Sequence, residues 1–230
     1  MTHEGFTAQH RTLGRISCWG TLIVGLVYTV FALLSNVYNP PTAATNDPFS
    51  DPFSAISSIL LVPTAALIIA SMAAIHAYAP TELKAYSLLS LVFMSLAMGI
   101  TSLINFAFFV ILTHPVEFAN APWLSLFFPL NGLGMAGELD YVAWSWFFGL
   151  SMVLAAFVFR EGRLEKTLRI LMLASGIFPI VGWIIMIFVP SVGLPALLMQ
   201  AFGWGVLILV VWFLFVRLFE RVNPTEQRSA

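Results

Sequence analysis

Charged residues are scarce in this sequence. Only 9% of the 230 residues are Asp, Glu, Lys or Arg, whereas 60% are hydrophobic, and the mean hydropathy is +0.92. Soluble globular proteins carry about 25% charged residues, so this composition excludes an ordinary soluble domain. The net charge of −1 gives no reason to expect nucleic acid as a partner. The expected partner of the protein surface is the lipid bilayer.

Residues with common catalytic or metal-binding chemistry are also scarce. Cys18 is the single cysteine, which excludes an intramolecular disulfide and any CxxC motif. His76 and His114 fall at opposite ends of predicted helices, so a haem held between two helices is not expected. The motifs HExxH and GxSxG and a mid-membrane lysine are absent. The sequence therefore predicts no catalytic residue, no metal site and no cofactor.

Long apolar runs, in contrast, occupy most of the chain. Each has about the 20 residues needed to cross a hydrocarbon core of about 30 Å, and none shows the alternation of a barrel strand. We predict an all-α polytopic membrane bundle of six transmembrane helices, the first of them too long for the core of a signal peptide. The predicted spans are 16–36, 53–79, 85–113, 139–159, 167–189 and 194–215. Residues 16–217 form the membrane domain, between an N-terminal tail (1–15) and a C-terminal tail (218–230).

Lysine and arginine are absent from three of the predicted connections, at residues 37–52, 114–138 and 190–193. All ten basic residues precede the first span, follow the sixth, or lie around the second-to-third and fourth-to-fifth turns. The positive-inside rule then predicts a multi-pass protein of the cell membrane with both termini in the cytoplasm. We interpret the basic clusters as anchors to anionic lipid.

Two of the lysine-free connections contain turn signals. The unit DPFS occurs twice in tandem over residues 47–54, and Asp followed by Pro is typical of an N-cap with proline at the first helical position. Asp51 and Pro52 are therefore predicted to start the second helix. The connection 114–138 is too broken by proline and glycine to cross, and we interpret it as an interfacial or shallow re-entrant segment.

Two acids, Glu138 and Asp140, precede the fourth apolar run. A helix cap stabilised by the helix dipole explains both, but an ionisable group that enters a bundle can also be a ligand or a relay. Asp140 shares a helical face with Trp144, and the larger polar residues of other spans lie toward the same predicted leaflet. The alternative is that these polar groups only hydrogen-bond between helices. The predicted ligand-binding residues are Asp140, Asn105, Gln200, Tyr28 and Trp144.

Three stretches carry a family resemblance. They are AIHAYAPTELKAYSLLSLVF at residues 74–93, LDYVAWSWFFGLSMVLAAFVF at 139–159 and GRLEKTLRILMLASG at 162–176. They resemble segments of small multi-helix integral membrane proteins of bacteria and archaea that have no assigned function. The resemblance implies a single compact membrane domain without a cofactor and supplies no catalytic residue.

Three classes of function fit these observations. The favoured one is binding or transport of a small solute through an outward-facing polar pocket, which accounts for the polar residues near one leaflet. A non-catalytic assembly partner of another membrane protein accounts for apolar spans with few charges. A lipid-modifying enzyme is the third class, and it would need a nucleophile or an acid–base pair that the sequence does not display. Catalysis is therefore the least favoured interpretation.

Overall fold

The computed structural model describes residues 6–38, 51–118, 121–127 and 134–223, and every regular element in these ranges is helical. Six of the helices are long and apolar enough to cross a membrane, which confirms the predicted helical class. They are α1 (Ala8–Tyr38), α2 (Pro52–Tyr78), α3 (Lys84–Thr113), α4 (Gly134–Ala156), α5 (Gly162–Phe188) and α6 (Gly193–Arg221).

The helices extend beyond the apolar runs that predict them. α1 begins eight residues before the predicted start at residue 16, and α6 ends six residues after the predicted end at residue 215. Long basic side chains allow this, because their apolar stems can lie along a helix while the charged group reaches water. The first and last helices therefore each gain at least one and a half turns.

The start of α4 corrects the interpretation of Glu138 and Asp140 as a helix cap. α4 begins at Gly134, five residues before the predicted start at residue 139, and its first turn contains no acid. Both acids therefore lie inside the helix, where the backbone amides already have helical partners. A cap does not explain either residue, and the side chain of Asp140 instead accepts a hydrogen bond from Thr101 of α3.

The predicted start of α2 is confirmed. Asp51 caps the helix by accepting a hydrogen bond from the Phe53 amide at 2.9 Å, and Pro52 occupies the first helical position. Its other carboxylate oxygen accepts from the hydroxyls of Ser35 on α1, at 2.5 Å, and Ser54, at 2.7 Å. Burial raises the pKa of Asp51, but these hydrogen bonds outweigh burial and leave the pKa below its ordinary value. The first DPFS copy, at 47–50, lies outside the described residues.

Between α3 and α4 the described residues form two single helical turns, Pro115–Phe118 and Leu124–Phe127. The ring of Trp123 packs edge-on against the rings of Phe118 and Phe127. Residues 119–120 and 128–133 lie outside the described ranges. The interfacial or re-entrant course of this connection therefore stays a prediction.

The six helices pack as a ring in chain order. Each helix packs on the next, and α6 returns to pack on α1. Because successive helices run in opposite directions, the start of α1 and the end of α6 lie at one end of the ring, here named the terminal end. The other end, where α2, α4 and α6 begin, is named the loop end. All the basic residues except Arg228, which lies outside the described residues, are at the terminal end.

Aromatic side chains close the terminal end. Phe6 is fully buried between the rings of Tyr78 and Phe219, at centroid distances of 5.7 and 6.2 Å. Phe159 lies against Tyr78 on one side and Phe215 on the other. All five side chains are at most 2% exposed. We name this group, Phe6, Tyr78, Phe159, Phe215 and Phe219, the aromatic plug.

Polar contacts hold the helix ends around the aromatic plug. Arg11 of α1 donates to the carbonyl oxygens of Phe219 and Glu220 at 2.9 and 2.7 Å, where a cation also complements the C-terminal dipole of α6. The Tyr78 hydroxyl donates to Glu165 of α5 at 2.5 Å. These contacts join α1 to α6 and α2 to α5 at the closed end of the ring.

Candidate functional site

A cavity of about 240 Å³ lies inside the ring, between α1, α2, α4 and α6. Its lining is mainly aliphatic and aromatic, and Asp140 is the only carboxylate among the described residues that form it. Ligand pockets are commonly about 300–1,000 Å³, mostly apolar, with a few polar groups that orient the ligand. This cavity has that character and is of a size for a small molecule.

Among the residues that the structure describes, Asp140 has a hydrogen-bond donor but no cationic side chain beside it. The Thr101 hydroxyl of α3 donates to Asp140 Oδ1 at 2.6 Å, and Trp144, one turn further along α4, lies close enough to interact with the same carboxylate. Within the described parts of the chain no ion pair involves Asp140. A carboxylate offers about four lone-pair sites, so the bond from Thr101 leaves it able to accept from a ligand. A buried carboxylate in its ionised form requires a positively charged partner, and a bound cation would supply one.

Aromatic rings from three helices line the same cavity as the carboxylate. Tyr28 of α1 lies near enough to interact electrostatically with Asp140. Trp144 of α4 and Trp204 of α6 both line the cavity, and their ring centroids are 6.1 Å apart. The faces of such rings attract cations, most strongly for tryptophan. Carboxylate and rings together form a concave surface that complements a positive charge.

Both tryptophans belong to π-helical segments, which are Ala143–Phe147 in α4 and Phe202–Leu207 in α6. Such wide turns are frequent at functional sites. The segment in α6 is supported by α5, because Ser175 Oγ donates to the Gly203 carbonyl at 2.7 Å. A Cβ atom on Gly203 would lie 2.6 Å from Pro179 Cδ, so the close approach of the two helices requires glycine there.

Three of the five predicted site residues, Asp140, Tyr28 and Trp144, line the cavity together. Asn105 does not line it. Its side-chain amide donates to the Thr101 carbonyl one turn earlier on the same helix, at 2.9 Å. Asn105 thus contacts Thr101, which donates to Asp140, but lies outside the cavity lining.

Gln200 does not line the cavity either and is fully buried. Its carbonyl oxygen accepts from Ser145 Oγ of α4 at 2.7 Å, and its amide nitrogen donates to Met186 Sδ of α5 at 2.9 Å. Gly182 makes room for it, since a Cβ there would lie 2.6 Å from Gln200 Cγ. Gln200 therefore fits the alternative in which polar side chains form hydrogen bonds between helices. Asp140, Asn105 and Gln200 do not line one cavity together.

Several residues of the site were not predicted from the sequence. One feature of the sequence could have indicated Trp204, because it stands between Gly203 and Gly205 in a span of otherwise bulky apolar residues. Thr101 has no such feature, since a lone threonine commonly bonds to its own helix. Gly25 and Gly205 line the cavity, and a Cβ on either would meet no heavy atom within 4 Å.

No protein family, no curated protein and no solved structure matches this chain. The resemblance of residues 74–93, 139–159 and 162–176 to small prokaryotic membrane proteins stays a prediction. A fold alone does not define an activity. The function must therefore be inferred from the chemistry of the cavity.

Proposed function

We propose that this protein binds a small organic cation in the cavity between α1, α2, α4 and α6. One observation carries the proposal. Asp140 is the only carboxylate among the described lining residues, it has no cationic side chain as partner there, and it lies among aromatic rings. An alkylated ammonium group presents both a positive charge and an apolar surface, and the cavity offers a complement to each.

The two kinds of contact differ in size and in what they select. Opposite unit charges 4 Å apart attract by about 4 kcal/mol at an effective dielectric constant of about 20. A cation–π contact contributes roughly 0.5–2 kcal/mol. Asp140 should therefore decide that the ligand is a cation. The rings of Tyr28, Trp144 and Trp204 should favour alkylated ammonium groups over strongly hydrated metal ions.

The proposal includes an orientation in the cell membrane, with both termini in the cytoplasm. It is supported by the location of the basic residues at the terminal end, the side that the positive-inside rule assigns to the cytoplasm. The cavity then lies near the middle of the bundle, because its lining residues in α2 and α6 are central in those helices, and the aromatic plug separates it from the cytoplasm. A midplane site closed on one side is typical of transporters, so we include transport of the bound cation in the proposal.

Thermal unfolding of the purified protein tests the binding step. Tetramethylammonium, choline and 3,3-dimethylbutan-1-ol, the neutral analogue of choline in which carbon replaces the nitrogen, are compared. We expect the two cations to raise the unfolding temperature and the neutral analogue to leave it unchanged. Asp140→Asn should fold, because the amide can still accept from Thr101, and should bind choline at least about tenfold more weakly.

Two glycine variants provide a matched control. Gly205→Leu places a side chain into the open space of the cavity. Gly99→Leu places the same side chain on α3, at a position that also has no heavy atom within 4 Å of an added Cβ. Gly99 does not line the cavity. Choline stabilisation should be lost in the first variant and kept in the second. Equal stabilisation of wild type, Asp140→Asn and Gly205→Leu would contradict the proposal.

A further inference from the structure

α1 and α6 are in close contact along only part of their length. In the described chain, α1 packs closely on the segment Ile208–Arg221 of α6, whereas the preceding segment Gly193–Ala201 and the π-helical turn after it pack on α5. The cavity lies at the level where this contact ends, because it is lined by Trp204, Gly205 and Ile208 of α6. A gap in the ring therefore lies beside the cavity, in the half of the bundle toward the loop end.

Small residues stand on both sides of this gap. Gly25 of α1 and Gly205 of α6 line the cavity, and each faces open space in which an added Cβ would meet no heavy atom within 4 Å. Next to them, on the outside of the ring, Leu26 is 60% exposed and Val206 is 53% exposed. Aliphatic side chains that face outward from a membrane helix contact lipid. The gap thus joins the cavity to the apolar surroundings of the ring.

We infer that the ligand is an amphipathic amine that enters sideways from the bilayer, with its ammonium group at Asp140 and its apolar tail in the gap between Gly25 and Gly205. The ammonium part of this inference rests on the proposed function, whereas the lateral entrance stands without it. Leu22 of α1 and Leu209 of α6 line the cavity near these glycines and provide the apolar contacts for the tail. An amine with a tail also concentrates in the membrane beside this entrance, as single acyl chains do.

The entrance is tested without any ligand by spin labels in liposomes. In a Cys18→Ser background, a nitroxide is attached to Gly205→Cys, and its collision rates with oxygen and with a water-soluble nickel chelate are measured. Leu103→Cys on α3 is the lipid reference, because Leu103 is 74% exposed and lies mid-helix. Arg163→Cys at the exposed start of α5 is the water reference.

We expect the label at residue 205 to match the lipid reference, with oxygen collisions dominant. A label that collides mainly with the nickel chelate, as at residue 163, would overturn the lateral entrance. Gly25→Cys repeats the measurement from the other side of the gap, so the test does not depend on one variant. Both glycines have room for the added atoms, which makes folded variants the expectation.

The tail is tested by comparing tetramethylammonium with hexyltrimethylammonium, using Asp140→Asn to subtract binding to lipid alone. After correction for partition into the liposomes, we expect the hexyl compound to bind at least tenfold more tightly. Equal affinities would overturn the tail site. If neither compound binds while residue 205 contacts lipid, the proposed function fails and the entrance stands; if both bind while residue 205 contacts water, the function stands and the entrance fails.

Discussion

Asp51 and Asp140 are the same residue type at the start of an apolar run, but their side chains have different surroundings. Asp51 accepts hydrogen bonds from the Phe53 amide and from two serine hydroxyls, and its carboxylate thereby joins α1 to α2. Asp140 accepts a hydrogen bond from the Thr101 hydroxyl and borders a cavity. The sequence context suggested helix caps for both, because each precedes an apolar run. Only the packing of neighbouring helices distinguishes them.

The low pKa of Asp51 predicts a pH-dependent contribution to stability. A carboxyl group whose pKa is lower in the folded than in the unfolded protein stabilises above the unfolded value, about pH 4, and that contribution is lost as pH falls through the folded value. Asp51→Ala should cost about 1 kcal/mol near neutral pH, and the difference from wild type should shrink below about pH 4. Thermal unfolding between pH 7 and pH 3 measures it.

Asp51→Asn is the control for this prediction. Asparagine is also a good N-cap, but it has no charge to lose, so its stability relative to Asp51→Ala should not change with pH in that range. A constant difference between wild type and Asp51→Ala from pH 7 to pH 3 would contradict the role of the charged carboxylate.

Gln200→Ala should destabilise the protein without weakening cation binding. The substitution removes the acceptor of the buried Ser145 hydroxyl, and an unsatisfied buried group costs about 1–3 kcal/mol. Choline affinity, measured by titration at a temperature where the variant is folded, should equal that of wild type. Adding Ser145→Ala should restore part of the lost stability. Weaker choline binding by Gln200→Ala would contradict this prediction and indicate that Gln200 contributes to cation binding.

At the scale of helices, hydrophobicity predicted all six elements but not their irregular turns. An apolar run of about 20 residues identifies a span whatever its neighbours are. A π-helical turn depends on what the adjacent helix provides, as Ser175 and Pro179 of α5 do beside Gly203. Such a turn changes which side of the helix the following side chains face. The position of Trp204 in the cavity therefore could not be predicted from the regular helical period.

Helix ends were predicted less well than helix centres, and the error at α4 had consequences. The prediction placed the helix start where the apolar run begins, at residue 139, but five residues that precede the run are also helical. Of the two alternatives that the sequence left open for Asp140, the helix cap is therefore excluded, because the helix begins before it. Trp144 and Tyr28 line the same cavity as Asp140, and their role in binding a ligand stays a prediction.

The crossing of α4 and α5 depends on glycine. A Cβ on Gly176 would lie 2.5 Å from the Gly149 carbonyl oxygen and 3.1 Å from the Val153 amide nitrogen, both backbone atoms that cannot rotate away. Gly176→Ala should therefore destabilise the protein by about 1–3 kcal/mol. Gly99→Ala, in open space, should be neutral or stabilise by up to about 1 kcal/mol. Unfolding temperatures of the two variants that agree within error would contradict this contact.

At the scale of the whole molecule, the two ends of the ring differ in charge and in packing. The terminal end carries the basic residues and the aromatic plug, whereas the described residues of the loop end include Asp51, Glu117 and Glu138 and no lysine or arginine. Charge distribution along the sequence predicted the first difference. The aromatic plug could not be predicted, because Phe6 belongs to the tail and reaches Tyr78 and Phe219 only in the folded ring.

Thiol labelling in intact cells tests the proposed orientation. Cysteines at Asn46 and Asn120, both outside the described residues, should react with an impermeant reagent, and a cysteine at Arg163 should react only after the cells are opened. Arg163 is preferred to the nearby Glu165, because Glu165 accepts a hydrogen bond from Tyr78. Cys18 is buried and should give little background. Labelling at residue 163 in intact cells would reverse the orientation.

Closure of the ring by its first and last helices has a consequence for biosynthesis. Arg11 bonds to the Phe219 carbonyl 208 residues later in the chain, and Gly14 packs against the Phe219 ring. α1 leaves the ribosome first and must wait, with this face in lipid or against an insertion factor, until α6 has been translated. A nascent chain arrested before α6 also lacks Trp204 and one wall of the cavity. The cavity around Asp140 is therefore complete only when translation has passed the sixth helix.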